Sequence, residues 1–331
     1  EGTTGTRRAE MLLRLAELYY DEGRYVYFQE MEAFAAEQER CFNTDGCGFE
    51  NMEPDLSRSQ RWQNDSIRLY EQILENYPRY DRADEAMYFM ASSLQDVGRR
   101  EDGVEQFSRL VRVYPESGFV CDSYVNIGEY YFDNNNAYKA LIAYKKATGY
   151  PTCDKYGFAL YKLAWSYFNV GEYGEAITSM KEVVSYSQSQ REASGGTPLQ
   201  LEEESLRDLV RFFADAGEID EALAYFESLG RRDLYQKMLK RLAATYFEQG
   251  KWDEAISVYR RLIAEDPNSV DNPQYQNEIV QAYHKVGNPD AELSEVDRML
   301  STYGTGSAWA QANVGSPDKV QDAQDKISTN F

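Results

Sequence analysis

A repeated Tyr-Pro pair is the feature that most constrains the fold of this chain. It occurs 37 and then 36 residues apart, at Tyr77-Pro78, Tyr114-Pro115 and Tyr150-Pro151. A residue that favours turns follows each proline by 20 residues, namely Gly98, Asn135 and Gly171. Proline cannot continue a helix, and glycine or asparagine can adopt the left-handed conformation that ends one. The spacing predicts a unit of two helices that are joined by a short turn and end at Tyr-Pro.

Each predicted helix is apolar along one face, as residues 157–171 show by their helical spacing of apolar side chains. A single pair of helices cannot bury such a face, so neighbouring pairs must stack. Small residues recur where the two helices of a pair would approach closely. Before the turn they include Ala91, Gly128, Ala164 and Ala243, and after it they are Ala140, Ala176, Ala222 and Ala255. Four positions after each of the latter comes a large residue, namely Tyr144, Met180, Phe226 and Tyr259.

Residues 161–177 (YKLAWSYFNVGEYGEAI) and 242–267 (LAATYFEQGKWDEAISVYRRLIAEDP) resemble the tetratricopeptide repeat. The same register can be followed over roughly residues 9–303, which is about seven helix-turn-helix repeats. The resemblance implies an all-α fold, an α-α superhelix or solenoid, and a non-enzymatic scaffold that binds other proteins. The long step with its Tyr-Pro break is similar to bacterial envelope repeat proteins, including outer-membrane assembly, Tol–Pal-associated and myxobacterial gliding-machinery components.

Two departures from the register predict the domain organisation. Gly23 stands where the turn of the first pair belongs, but the next Tyr-Pro comes far too late, which predicts an insertion at about 25–61 with a helix and then a loop. A polar segment at 187–198 predicts a flexible loop. We therefore expect an N-terminal array at 1–190 and a C-terminal array at 198–331. A last helix is expected to begin at Ser316-Pro317, either as a cap of the array or as the start of a further repeat.

Charge and composition exclude several functional classes. The formal net charge is −21, which repels nucleic acid and anionic lipid. No apolar run is long enough for membrane insertion. His284 is the single histidine of the chain, which disfavours histidine-based catalysis and metal sites. We therefore expect no enzymatic activity, no cofactor and no metal.

The four cysteines favour two local disulfides, Cys41–Cys47 and Cys121–Cys153. Four free thiols in a cytosolic protein remain the alternative, and zinc is disfavoured because no histidine lies near either pair. Two disulfides would indicate an oxidising compartment. Together with the resemblance, they suggest a periplasmic or outer-membrane-associated protein delivered by a leader outside this chain, with a cytoplasmic location still open.

The repeat register also predicts the binding surface. In a tetratricopeptide superhelix the first helix of each pair lines a concave groove, and aromatic residues there can anchor a partner segment. The predicted groove residues are Tyr88, Phe132, Tyr161, Trp165, Phe168, Asn169, Arg207 and Arg211. The two arginines favour an acidic partner, unless they form ion pairs within their own helix. The aromatic rings could instead be covered by neighbouring elements.

Two functions are compatible with these observations. The leading hypothesis is a scaffold for protein–protein interaction, within an envelope or motility complex. The alternative is a structural subunit that assembles with itself into a ring or a filament.

Overall fold

The computed structural model describes residues 2–44, 47–48, 52–193 and 200–330. It contains sixteen helices and no strand within these ranges, which confirms the predicted all-α class. The helices are α1 (Gly2–Phe42), α2 (Ser57–Asn76), α3 (Ala83–Asp96), α4 (Arg100–Val113), α5 (Val120–Asp133), α6 (Ala137–Ala147), α7 (Tyr156–Asn169), α8 (Tyr173–Ala193), α9 (Gln200–Ala216), α10 (Ile219–Ser228), α11 (Arg232–Glu248), α12 (Trp252–Glu265), α13 (Asn272–Val286), α14 (Pro289–Tyr303), α15 (Ala308–Ala312) and α16 (Pro317–Asn330).

The predicted turns join helices where the spacing placed them. Gly98 lies between α3 and α4 with a φ of 83°, and Asn135 lies between α5 and α6 with a φ of 56°. At the first turn the Arg99 N–H donates a hydrogen bond of 2.8 Å to the Leu94 carbonyl, which satisfies the end of α3. A left-handed backbone therefore ends the first helix and reverses the chain at both turns.

The amino-terminal compact unit comprises residues 1–170 and contains α1 to α7. Each helix packs against the next one along the chain. Tyr70, Phe107 and Tyr144 are fully buried between them. Gly128 explains how such a large ring fits, because a Cβ atom there would lie 2.6 Å from the Tyr144 ring. The predicted packing of small residues against large ones is confirmed at this pair.

The helix predicted for 25–40, within the insertion at about 25–61, is present, but the expected turn at Gly23 is absent. Helix α1 continues through Gly23 without interruption and ends at Phe42. The following connection is also shorter than the loop predicted for 41–60, because α2 begins at Ser57. Glycine permits a turn but does not impose one, and no proline stands near this position to stop the helix.

Contacts with α2 stabilise the extended part of α1. The Glu30 carboxylate accepts hydrogen bonds from the backbone N–H groups of Arg58 (3.1 Å) and Ser59 (3.4 Å), which lie in the first turn of α2. A carboxylate at this position satisfies unpaired donors and interacts favourably with the helix dipole. Gln63 donates to the Tyr20 carbonyl at 3.3 Å. These long-range bonds favour one continuous helix over a helical hairpin.

Two disulfides are present in the amino-terminal unit, and they join the same cysteines that the sequence pairs. Cys41 and Cys47 have Cα atoms 5.4 Å apart, at the end of α1. Cys121 in α5 is joined to Cys153 in the turn between α6 and α7, with Cα atoms 6.4 Å apart. The turn before α7 therefore approaches α5 closely enough for a bridge.

Intact mass provides a direct test of these bridges. The protein purified without reductant should gain about four daltons on complete reduction, two hydrogens for each disulfide. Mass spectrometry under reducing and non-reducing conditions measures the difference. A gain of about two daltons would indicate that only one bridge was present before reduction, and no gain would indicate four free thiols.

The carboxy-terminal compact unit comprises residues 171–331 and begins before the predicted boundary near residue 190. Helix α8 packs against α9, so it belongs to this unit. The predicted loop at 187–198 is helical as far as Ala193, and residues 194–199 lie outside the described residues. The polar composition of 187–193 therefore indicates an exposed helix end more than a loop.

The core of this unit is aromatic where α9 meets α10. Phe212, Phe213 and Phe226 are fully buried, and the rings of Phe213 and Phe226 meet edge to face at 5.7 Å. Val210, which departs from the small residue of the repeat pattern, is also buried. The unit thus tolerates a larger side chain at this position.

The predicted last helix is confirmed as α16, which begins at Pro317 and packs against α13 and α14. Trp309 in α15 is buried beside Tyr303, with ring centroids 5.4 Å apart. Its indole N–H donates to the Ser269 carbonyl at 2.8 Å. These contacts cover the apolar end of the carboxy-terminal unit.

Among the helices described, none is long and apolar enough to cross a membrane. Over the same residues, no three His, Cys, Asp or Glu side chains come together as a group that could hold a metal ion. The features that remain as candidate sites are cavities and exposed faces of helices.

Candidate protein-binding surface

A cavity of about 120 Å³ in the carboxy-terminal unit has a strongly cationic lining. It lies where the end of α8 meets α9 and α11. Its charged lining consists of five cations and two carboxylates: Arg191, Arg207, Arg231, Lys237, Arg241, Glu202 and Glu203. The apolar part is formed by Leu206, Leu234 and Met238. An excess of positive charge is notable here, because the chain as a whole has a formal net charge of −21.

Glu202 holds two of these arginines in place. Its side chain is only 4% exposed, and it accepts a hydrogen bond of 2.7 Å from Arg191. Its other oxygen lies 3.6 Å from the Arg231 guanidinium. A buried carboxylate requires paired cations, so Arg191 and Arg231 serve mainly to neutralise Glu202.

The other three cations lie around this pair and remain available to a ligand. Arg207, Lys237 and Arg241 make no side-chain ion pair with any residue in the described part of the chain. Arg207 and Lys237 are exposed, and Arg241 is half-buried. Lys237 and Arg241 are four residues apart on α11, so they project from the same side of that helix. Together the three form a positive surface beside an apolar floor.

The structure separates the two arginines that the sequence grouped together. Arg207 lines the cavity, whereas Arg211 lies 3.8 Å from Asp215, four residues later on α9. Arg211 therefore takes part in the pairing within its own helix that was the alternative explanation. Lys237 and Arg241 are functional candidates that were not predicted from the sequence. The repeat register could have found them, because they occupy the first helix of the next pair.

Three of the predicted aromatic anchors lie together on α7 in the amino-terminal unit. Tyr161, Trp165 and Phe168 are half-buried, and the Trp165 and Phe168 rings meet at 5.4 Å. Asn169 is exposed at the end of the same helix. The rings form one patch at helical spacing, and their role as partner anchors remains a prediction.

The other two predicted anchors contact neighbouring helices. Tyr88 on α3 stacks on Phe119 at 4.6 Å, and burial, followed by the charge of Asp122, raises the pKa of Tyr88 to about 12. Phe132 on α5 lies under the Lys162 ammonium, which is 4.6 Å from the ring centroid. Both rings are half-buried, and one face of each is in contact with these neighbouring groups.

A second cavity, of about 360 Å³, lies between α1, α2 and α3. Its lining mixes rings, amides and a single pair of opposite charges, Arg24 and Asp96. Gln63, which is buried there, already donates to the Tyr20 carbonyl. This cavity shows no preference for one kind of ligand, so the cationic cavity is the better-defined candidate site.

Solved structures that resemble this chain have low identity and low structural overlap. MamA is 20% identical, with a TM-score of 0.38, 59% of this chain covered and 94% of that one. A tetratricopeptide repeat protein from Parabacteroides merdae is 15% identical, with a TM-score of 0.39 and coverages of 74% and 92%. PilW, a type IV pilus biogenesis factor, is 16% identical, with a TM-score of 0.35 and coverages of 80% and 91%. No curated protein sequence matches the chain significantly.

Family models give the clearest assignment. Three models described as tetratricopeptide repeat match residues 122–150, 158–188 and 207–278. The matched stretches contain helix pairs with the turns and the small and large residues described above. They include segments from both compact units. The chain therefore contains tetratricopeptide repeats over these residues.

Proposed function

We propose that this chain is a non-catalytic scaffold that binds an acidic segment of a partner protein at the cationic cavity of the carboxy-terminal unit. Tetratricopeptide repeats act as protein-interaction scaffolds, and this supports the general class. The observation that carries the finer proposal is the cluster of Arg207, Lys237 and Arg241, which form no ion pair with a described residue and outnumber the one exposed carboxylate of the lining, Glu203. Carboxylates of a partner peptide would complete these interactions.

The net charge of the whole chain narrows the choice of ligand. A long polyanion such as nucleic acid would meet the repulsion of a formal charge of −21 along most of its length. A short acidic peptide segment contacts only the positive surface. Leu206, Leu234 and Met238 are buried beneath the cations, so recognition of the peptide rests on the charged groups.

The disulfides support a location for this scaffold. Cys41–Cys47 and Cys121–Cys153 would persist in an oxidising compartment. The long repeat step also resembles bacterial envelope proteins. We therefore propose a periplasmic or outer-membrane-associated complex as the setting, which requires that the bridges form in the natural protein. The intact-mass measurement described above tests that condition.

Peptide binding can be tested with a defined probe. Fluorescence anisotropy with a fluorescein-labelled octaglutamate at about 150 mM salt should show saturable binding, because charge-assisted hydrogen bonds to exposed cations are still favourable there. The double substitution Arg207→Gln and Arg241→Gln should weaken binding about tenfold or more, since each lost charged hydrogen bond contributes on the order of 1.5 kcal/mol.

A matched control removes the same number of charges elsewhere in that unit. Lys285→Gln with Lys319→Gln alters two exposed lysines that do not line the cavity. This control should change the dissociation constant less than about twofold. Equal weakening by both double variants, or equal binding of an octaglutamine probe, would show that the cavity does not recognise acidic peptide.

A further inference from the structure

The outer face of α1 carries large apolar side chains that its own unit leaves exposed. Met11, Leu15, Leu18 and Tyr25 are 67%, 38%, 61% and 60% exposed. Their spacing of four, three and seven residues puts them along one stripe of the helix. The opposite side of α1 faces the core, and the fully buried residues there are Ala9, Leu13 and Ala16. Helix α1 is therefore apolar on two opposite sides.

Charges on and beside this stripe are divided by sign along the helix. Arg7, Arg8 and Arg14 precede Leu18, whereas Asp21 and Glu22 follow it. All five are exposed, and within the described ranges none makes a side-chain ion pair. The other charges of this part of α1 lie on the flank between the stripe and the core, where Glu10 and Glu17 contact Arg82 of the same unit. Arg24 lines the cavity between α1, α2 and α3.

This division makes the stripe complementary to itself. When two copies of α1 cross in opposite directions near Leu18, the arginine-bearing end of each meets the acidic end of the other. The apolar residues then meet along the centre, Leu18 near Leu18 and Met11 near Tyr25. A parallel pairing would place like charges together, which is unfavourable. Charge complementarity therefore favours a second copy of this chain, in antiparallel orientation, over an unrelated partner.

We propose that the outer face of α1 is an isologous interface through which two copies of this chain form an antiparallel dimer. Such an interface is closed by a twofold axis, so it produces a dimer and not a filament. Stable interfaces bury about 800 Å² per partner. One helical stripe of four apolar residues is smaller than that, so we expect reversible association in the micromolar range. The interface is separate from the cationic cavity and does not rest on it.

Sedimentation equilibrium of the full chain at about 1–100 μM tests the proposal. The unmodified protein should change from monomer to dimer across this range. Leu18→Glu should weaken dimerisation at least about tenfold, because it places two carboxylates against each other at the axis. Leu293→Glu is the matched control, since Leu293 is 61% exposed on α14. It should leave the association unchanged.

A charge-exchange cycle tests the antiparallel orientation. Arg14→Glu and Glu22→Arg should each weaken dimerisation, because each puts like charges together across the axis. The protein that carries both substitutions should recover the original affinity, since the introduced carboxylate of each copy would then face the introduced guanidinium of the other. Circular dichroism establishes that each variant is folded, and octaglutamate binding should stay unchanged in all of them.

Three results would overturn the dimer. The first is a chain that remains monomeric at about 100 μM. The second is that the protein with both Arg14→Glu and Glu22→Arg fails to recover the dimerisation affinity, although each single variant loses it. The third is a stoichiometric complex between this face and a different protein that Leu18→Glu disrupts, which would assign the stripe to a heterologous partner.

Discussion

Replacing both Cys121 and Cys153 by alanine is expected to lower the free energy of unfolding of the amino-terminal unit by about 3–4 kcal/mol. The bridge closes a loop with a sequence separation of 32 residues, so its removal returns considerable conformational entropy to the unfolded chain. The loop contains α6, whose Tyr144 fills the space beside Gly128. Urea denaturation followed by tyrosine and tryptophan fluorescence measures the change.

The other bridge provides an internal control. Cys41 and Cys47 are separated by 6 residues, so replacing both by alanine should cost only about 2 kcal/mol. The test is which of the two substitutions lowers the free energy of unfolding more, because the size of each loss also depends on strain and on the unfolded state. A greater loss from the short loop than from the long one would contradict the proposed role of the α5 bridge.

The substitution Phe213→Ala is expected to destabilise the carboxy-terminal unit by about 3–5 kcal/mol. Phe213 is fully buried on α9, and its ring contacts the rings of Phe226 at 5.7 Å and Tyr225 at 6.2 Å. Truncation leaves a cavity and removes these aromatic contacts. Thermal and urea denaturation of the full chain measure the loss of stability.

The matched control for this prediction is Leu293→Ala on α14. Leu293 is 61% exposed, so its truncation should change stability by less than about 0.5 kcal/mol. The Phe213 variant also bears on the site, because α9 carries Arg207 and Glu202 at the cavity. If Phe213→Ala cost no more than the control, the aromatic contact between α9 and α10 could not be what holds α9 in place.

The two proposed surfaces assign different tasks to the two units. The cavity beside Glu202 would bind an acidic segment, whereas the stripe around Leu18 would join two copies of the chain. A dimer that presents two identical peptide sites binds a divalent partner more tightly than a monomer does. Each proposal can fail without the other, because their variants lie in different units and their measurements differ.

Much of the fold could be predicted because helix-ending residues and periodicity are local properties. Gly98 and Asn135 end helices at the predicted places, since a left-handed residue followed by a new amphipathic pattern leaves few alternatives. Gly23 shows where this reasoning fails. Its helix continues, and hydrogen bonds of Glu30 and Gln63 to residues 28 and 43 positions away stabilise it against α2.

The candidate site was predictable only in part. Arg207 could be placed from the repeat register, but the same register also selected Arg211, which pairs with Asp215. The register also placed Tyr88 at a position that could anchor a partner, whereas in the structure its ring stacks on Phe119. The register identifies which side of a helix a residue occupies. Whether that side chain is free, paired or covered depends on residues from other helices.

The sequence by itself determined the helix pairs, their turns and the all-α class, because these follow from local backbone preferences and short spacings. It favoured the two cysteine pairs, but the Cys121–Cys153 bridge depends on how closely the turn before α7 approaches α5. The tertiary structure alone decided that α1 is continuous, that Glu202 neutralises Arg191 and Arg231, and that Arg207, Lys237 and Arg241 remain available. The physical reason is that ion pairing and burial depend on distances between helices that are remote in sequence.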